Sequence, residues 1–284
     1  MPRLLQIPTR RDNYVYLVVQ ERRAWVVDPS SAPPVLEALA QLPDVVLEAV
    51  VITHHHHDHV GGNEALRART GCEIIGAASD AARIPGLSRP VRVGERFVVA
   101  GIALEVLDVH AHTRAHVAYR MSTPFDEVVR HGHRGVAESV PRLAGRPALF
   151  VGDSLFLGGC GRLMEGTPGE LVAAMRTLAG EDPESLVCCA HEYTEANLRF
   201  ARAVFPDAPA IETRLQGLAR ERGRSGSTVP DTLARERETN PFLLGLEPSR
   251  WDGLADRLGM QRDAPRTAVE VLGALRAAKD RFNG

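Results

Sequence analysis

The chain has 284 residues, 44% of them hydrophobic, enough for one large domain or two smaller ones with a sizeable core. Its 34 basic and 36 acidic residues nearly cancel, which excludes a strongly basic nucleic-acid surface and an acidic partner tail. No run approaches the length of a membrane-spanning helix, and Met1-Pro2-Arg3-Leu4-Leu5 lacks a signal peptide's long apolar region. The expectation is a soluble, cytoplasmic protein with no membrane or nucleic-acid partner, working as a monomer.

In chain order, Tyr14 to Val19 and Ala24 to Val27 are β-rich runs separated by a polar turn, a hairpin ending at Asp28-Pro29. Pro33 to Leu42 has helical spacing. Leu47 to Ile52 is a short continuous apolar run, the pattern of a strand buried on both faces. After a histidine cluster, Asn63 is placed as the cap of a helix that runs to Arg69 and stops at Gly71. Arg96 to Val109 reads as two strands around Gly101. Met121 to Pro147 is polar and weakly periodic, and reads as a long excursion in which His131 and His133 are solvated. Ala148 to Val151 and Leu186 to Ala190 are further strands.

Beyond His191 the pattern turns helical, over Asn197 to Val204 and after Ile211 and Ser249. Thr267 and Glu270 form a capping-box pattern ahead of Val271, Leu275, Ala278 and Phe282. The expected organisation is an α/β domain over 1–191 followed by a smaller helical domain over 192–284.

The four cysteines, Cys72, Cys160, Cys188 and Cys189, match no zinc-binding spacing and read as reduced thiols. Lys279 is the sole lysine among the basic residues. Genome-wide bias toward arginine is the plain reading; the sharper one is that position 279 needs a compact ammonium.

The chemistry concentrates in Thr53-His54-His55-His56-His57-Asp58-His59, directly after a buried strand. A strand end holds ligands rigidly yet leaves them access to a cleft. Imidazole and carboxylate together suit Zn²⁺, Fe²⁺ or Mn²⁺. A purification-tag remnant is excluded by position, because Val50-Val51-Ile52 and Val60-Gly61-Gly62 flank the run. His112, His116, Asp153 and His191 also follow strands, and strand ends along one sheet edge converge in space.

Thr-His-x-His-x-Asp-His resembles the signature of the metallo-β-lactamase superfamily. Within it the chain resembles the glyoxalase II (hydroxyacylglutathione hydrolase) family. The similarity runs through Thr53–Asn63, His112-Thr113-Arg114-Ala115-His116, Val151–Phe156, Gly159-Cys160-Gly161, Glu165-Gly166, His191-Glu192-Tyr193-Thr194, Thr239–Leu243 and Lys279–Phe282. The resemblance implies an αββα sandwich followed by a smaller α-helical domain. It implies two divalent metal ions per chain, zinc first, with iron or manganese as alternatives. His54, His56 and His112 would bind one metal, and Asp58, His59 and His191 the other. Asp153 would bridge them together with a water or hydroxide. His116 would support the ligands from behind, and His55, His57 and His110 would not ligate.

The implied reaction is hydrolysis of S-lactoylglutathione and similar 2-hydroxyacyl thioesters to D-lactate and glutathione, in methylglyoxal detoxification. Asp58 would also orient the nucleophile. Arg162, Tyr193, Asn197, Arg276 and Lys279 would contact the glutathione moiety, Arg276 and Lys279 being three apart on one helix face. The chain departs from the family pattern at Arg162-Leu163-Met164, where a Lys-x-Tyr pair is typical, so Met164 cannot supply a phenol. The alternatives are a lactonase or another thioesterase on this scaffold, a mononuclear-iron sulfur dioxygenase, and a non-catalytic metal-binding protein.

Overall fold

The computed structural model describes residues 1–133, 135–261 and 266–282. The strands, in chain order, are β1 (Arg3–Thr9), β2 (Asn13–Gln20), β3 (Arg23–Val27), β4 (Val46–Val51), β5 (Glu73–Ala77), β6 (Arg89–Val91), β7 (Arg96–Val99) and β8 (Ile102–Asp108). They continue as β9 (Val117–Met121), β10 (Glu127–His131), β11 (Ala137–Ser139), β12 (Ala148–Gly152), β13 (Leu155–Phe156), β14 (Gly159–Cys160), β15 (Leu186–Cys189) and β16 (Asp231–Thr232). The helices are α1 (Ala32–Ala40), α2 (His57–Val60), α3 (Asn63–Thr70), α4 (Pro168–Ala179), α5 (Thr194–Val204), α6 (Pro209–Glu221), α7 (Leu233–Thr239), α8 (Pro241–Leu244), α9 (Trp251–Leu258) and α10 (Ala268–Arg281).

Two sheets carry the fold. One has eight strands in the order β11-β10-β1-β2-β3-β4-β5-β6, and the other six in the order β16-β15-β12-β9-β8-β7. The strand β2 shows how both faces of the first sheet are used. Its Tyr14, Tyr16 and Val18 enter the core between the sheets, while Val15, Leu17 and Val19 pack with Val35 of α1 and Leu66 of α3. Side chains alternate across a strand, so an all-apolar strand needs partners on both sides. Trp25 and Tyr16 meet Phe150 of the second sheet, with ring centroids 5.2 and 5.9 Å apart. Leu171, Met175 and Leu178 of α4 join that inter-sheet core from the far side. The layers are helix, sheet, sheet, helix, as expected.

The helical segments after His191 close over one end. Phe200, Phe242, Leu254, Val271 and Leu275 are buried in the same apolar cluster as the sheets. The capping box at Thr267 and Glu270 is formed and starts α10. One pair of residues breaks the helical pattern: β16 adds to the second sheet, Thr232 opposite Leu186.

Three sequence expectations need correction. Met121 to Pro147 is not a loose excursion: β10 extends the first sheet in parallel with β1, and β11 adds an outer strand. The strand β10 hid because Arg130 occupies one of its buried positions. Its guanidinium is only 2% exposed and donates to the carbonyls of Glu221, Ser227, Thr228 and Pro230. Second, Asn63 does not cap α3. Gly62 holds the cap position, and the Asn63 side chain donates instead to the Pro85 carbonyl. Third, β1, β5, β9 and α4 are elements that the sequence reading did not assign. Gly71 does end α3, in the left-handed conformation at φ 73°.

Candidate metal centre

The centre forms where four sheet strands end. Beyond β4 lie His54 and His56, with Asp58 and His59 on the short α2. Beyond β8 comes His112, beyond β12 Asp153, and beyond β15 His191. His54 and His59 are fully buried, and His112, Asp153 and His191 are at most 8% exposed.

The donor atoms gather in two groups. His56 Nδ1 lies 3.0 Å from both His54 Nε2 and His112 Nε2. Three imidazoles bound to one ion at 2.0–2.1 Å would hold their nitrogens about 3.3 Å apart, close to this spacing. In the second group, His191 Nε2 lies 3.4 Å from both Asp58 Oδ2 and Asp153 Oδ1, and His59 Nε2 lies 3.4 Å from Asp153 Oδ1. The other Asp153 oxygen, Oδ2, faces the first group, 3.6 Å from His112 Nε2. One carboxylate therefore addresses both groups.

The donor set fits divalent cations. His54, His56 and His112 form one candidate triad, and Asp58, His59 and His191 another, each with ligand atoms within 4.8 Å of one another. Among the described residues, the buried His59 Nε2 and Asp153 Oδ1 have no hydrogen-bond partner. An orphaned buried donor or acceptor is costly unless something satisfies it. Electrostatics agree. Burial works against a charged His59, yet the Asp153 and Asp28 carboxylates raise it to about 10. Burial likewise opposes ionisation of Asp153, but His59 and His191 hold it well below the usual carboxylate range. Positive charge is favoured at this point, whether as protons or as a cation.

Further side chains fix these histidines and aspartates. Asp28 accepts from the Thr53 backbone N–H and hydroxyl and faces His59 Nδ1 at 3.0 Å. Asp12 faces His191 Nδ1 at 2.9 Å, and Asn13 donates to Asp58 Oδ2. His116 stacks on His54, its Nε2 accepting from the Asp153 N–H. Sequence reasoning missed Asp12, Asn13 and Asp28; Asp28 stood only as the end of a hairpin. The carboxylate–histidine–metal pattern is the signal that would have found Asp12 and Asp28. His55 and His110 point away, to Asp80 and Asp108, and His57 is exposed.

Two glycines let backbone press on the site. A Cβ on Gly152, at φ 51°, would stand 2.3 Å from Thr53 Oγ1. On Gly161 it would stand 2.1 Å from the Asp153 carbonyl oxygen. Neither position admits another residue without moving a ligand-bearing loop.

A cavity of about 600 Å³ opens from this cluster. His56, Asp58, His112, Asp153 and His191 form its floor, and Arg162, Met164, Tyr193, Asn197, Arg276 and Lys279 its walls. Tyr193 lies parallel to the His191 ring at 4.7 Å. Asn197 donates to the Leu157 carbonyl. Arg276 is 5% exposed, donating to the Cys160 carbonyl and to Asp280. Lys279 donates to the Ala196 carbonyl beside the Phe200 and Phe282 rings. Burial, with Arg276 nearby, pushes its pKa down to about 8. Arg162 is largely exposed, 3.5 Å from Asp280, and Met164 stands 61% exposed at the rim.

An αββα sandwich with histidines and aspartates converging at its strand ends defines the class, a divalent-metal hydrolase of metallo-β-lactamase fold. The family model described as Metallo-beta-lactamase superfamily matches residues 8–191, and that described as Hydroxyacylglutathione hydrolase C-terminus matches residues 192–282. A hydroxyacylglutathione hydrolase of a Synechococcus strain is 41% identical over 279 residues, 97% of this chain and 98% of the relative. One from Pseudomonas aeruginosa is 40% identical over 278 residues, again 97% and 98% of the two chains. This chain belongs to the hydroxyacylglutathione hydrolase family. Among solved structures, ETHE1 from Myxococcus xanthus superposes with a TM-score of 0.60 at 24% identity, covering 97% of this chain and 99% of that one, a likeness of fold. Among the described residues, no helix is long and apolar enough to cross a membrane.

Proposed function

We propose that the chain hydrolyses S-lactoylglutathione and similar S-2-hydroxyacylglutathione thioesters, releasing D-lactate and glutathione, with two divalent metal ions per chain, zinc foremost. The observation that supports this most is the double facing of Asp153, one oxygen toward His112 and the other toward His59 and His191. In this reading His54, His56 and His112 hold one ion, Asp58, His59 and His191 the other, and Asp153 both. Bound there, the metals would lower the pKa of a water from 15.7 to about 7 and polarise the thioester carbonyl.

The chain's own groups do the rest. Asp58, fixed by the Asn13 amide, orients the attacking water through its carboxylate. The leaving thiolate has a reference pKa of about 8.5, so it departs without a dedicated acid. Tyr193, flat against His191, forms the wall along which the thioester lies. The Lys279 ammonium and the Arg162 guanidinium take the glutathione carboxylates. Arg276 and Asn197 shape the pocket by holding the loop around Cys160. Met164 offers no hydrogen bond where the family pattern has a tyrosine, so that contact is absent here. All seven proposed ligands come from one chain, consistent with a monomer whose domains meet near residue 191. Four free cysteines, all buried, are consistent with a cytoplasmic setting.

The test is loss of thioester absorbance when purified, metal-loaded protein meets S-lactoylglutathione. Turnover is expected; a protein carrying two metals that leaves the thioester intact overturns the reading.

A further inference from the structure

A group of charged side chains outside the ligand set joins the two loops that carry the first metal's histidines. His55 sits between His54 and His56, and its Nδ1 lies 3.0 Å from the fully buried carboxylate of Asp80. Arg83 holds Asp80 through Nε at 2.5 Å and Glu165 through a terminal nitrogen at 2.6 Å. Glu165 in turn accepts the backbone N–H of Arg114 at 2.9 Å. The Met164 and Glu165 N–H groups both reach the His112 carbonyl, at 3.2 and 3.3 Å. The Arg162 carbonyl meets His112 Nδ1 at 2.7 Å. Gly166 completes the wrap, since a Cβ there would stand 2.2 Å from the Ala111 carbonyl oxygen.

We propose that Arg83 and Glu165 are positioning residues that clasp the His54–His56 loop to the His112 loop, and so set the affinity of one metal only. This rests on the ligand assignment proposed above. The second ion's ligands are held by different groups, Asp28, Asp12 and Asn13, none of which touches the clasp. Ligands on separate loops bind an ion tightly only while the loops keep their spacing. Loss of such outer support typically costs 10–100-fold in metal affinity.

The test uses the full-length, metal-loaded protein and its Glu165→Gln, Arg83→Met and Arg83→Lys variants. Each is dialysed against graded chelator, with metal per chain counted by elemental analysis and the melting temperature recorded on the loaded forms. Glu165→Gln and Arg83→Met should lose one ion at roughly 10–100-fold lower chelator strength, retain the other as wild type does, and melt within a few degrees of it. Arg83→Lys, which keeps a charge but not the fork, should fall between. Unchanged release of both ions overturns the clasp. So does parallel loss of both with a large fall in melting temperature, which would mark a merely structural role. A wild-type protein holding fewer than two ions would instead overturn the two-metal reading, and that result is visible before any variant is made.

Discussion

The Asp28 carboxylate reaches His59 Nδ1 at 3.0 Å while accepting both the N–H and the hydroxyl of Thr53. A residue at the end of β3 thereby sets the tautomer of an imidazole on α2 and ties it to the strand end that carries His54. Asp28 itself holds a positive φ of 50°, which only a tightly determined surrounding sustains. Asp28→Asn should keep the shape but remove the negative charge that His59 faces. Affinity for one ion is expected to fall about 10–100-fold. A chelator titration with both release steps unmoved would falsify this role.

His54→Ala should remove both metal occupancy and thioester hydrolysis, because His54 is the fully buried member of the first triad. A fully loaded, active mutant would refute its assignment as a ligand. Elemental analysis and the thioester assay, run on the same sample, decide it.

Lys279 makes the substrate step depend on pH. Burial depresses its pKa to about 8 from the usual 10.5, so the folded protein loses this charge as pH rises through 8. Arg276 and Asp280 are its charged neighbours. If the ammonium takes a glutathione carboxylate, KM should rise between about pH 7 and 9 while kcat changes less. In Lys279→Arg the rise should disappear, since arginine stays protonated. A wild-type KM that is flat over this interval removes Lys279 from the binding role.

Arg130 should be a stability determinant remote from the chemistry. Its guanidinium satisfies four carbonyls around 221–230 and joins β10 to the segment after α6. Arg130→Met leaves those carbonyls buried without a donor, at a cost of about 3 kcal/mol or more. Urea unfolding measures it, and a loss below about 1 kcal/mol would contradict the role.

Removing the metals should lower thermal stability as well as activity. An ion at a hundred times its dissociation constant contributes about 2.7 kcal/mol to the native state. Chelated protein should melt several degrees lower and recover on re-addition of metal. Identical melting curves would argue that the site is not loaded in the folded protein.

The local signals alone determined a good deal. A buried β4 followed by Thr53–His59 marked the strand end of the candidate metal centre, because short apolar runs and histidine spacing are written in consecutive residues. The capping box at Thr267 and Glu270 was legible for the same reason, and motifs along the chain named the family. What the tertiary structure decided is whatever depends on partners distant in sequence. Asp12 and Asp28 become supports for histidines only because β2 and β3 lie beside the strand ends that deliver His191 and His59. Arg130 turns a seemingly irregular stretch into β10, since a buried arginine breaks the apolar pattern yet is satisfied by carbonyls about 90 to 100 residues away. Arg276, which the family resemblance makes a glutathione contact beside Lys279, has its guanidinium drawn to Cys160 and Asp280 by packing that no helical periodicity encodes. Sequence specifies which groups are present and which face of an element they occupy. Only the packed fold settles which group each one meets, and that meeting decides between ligand, support and strut.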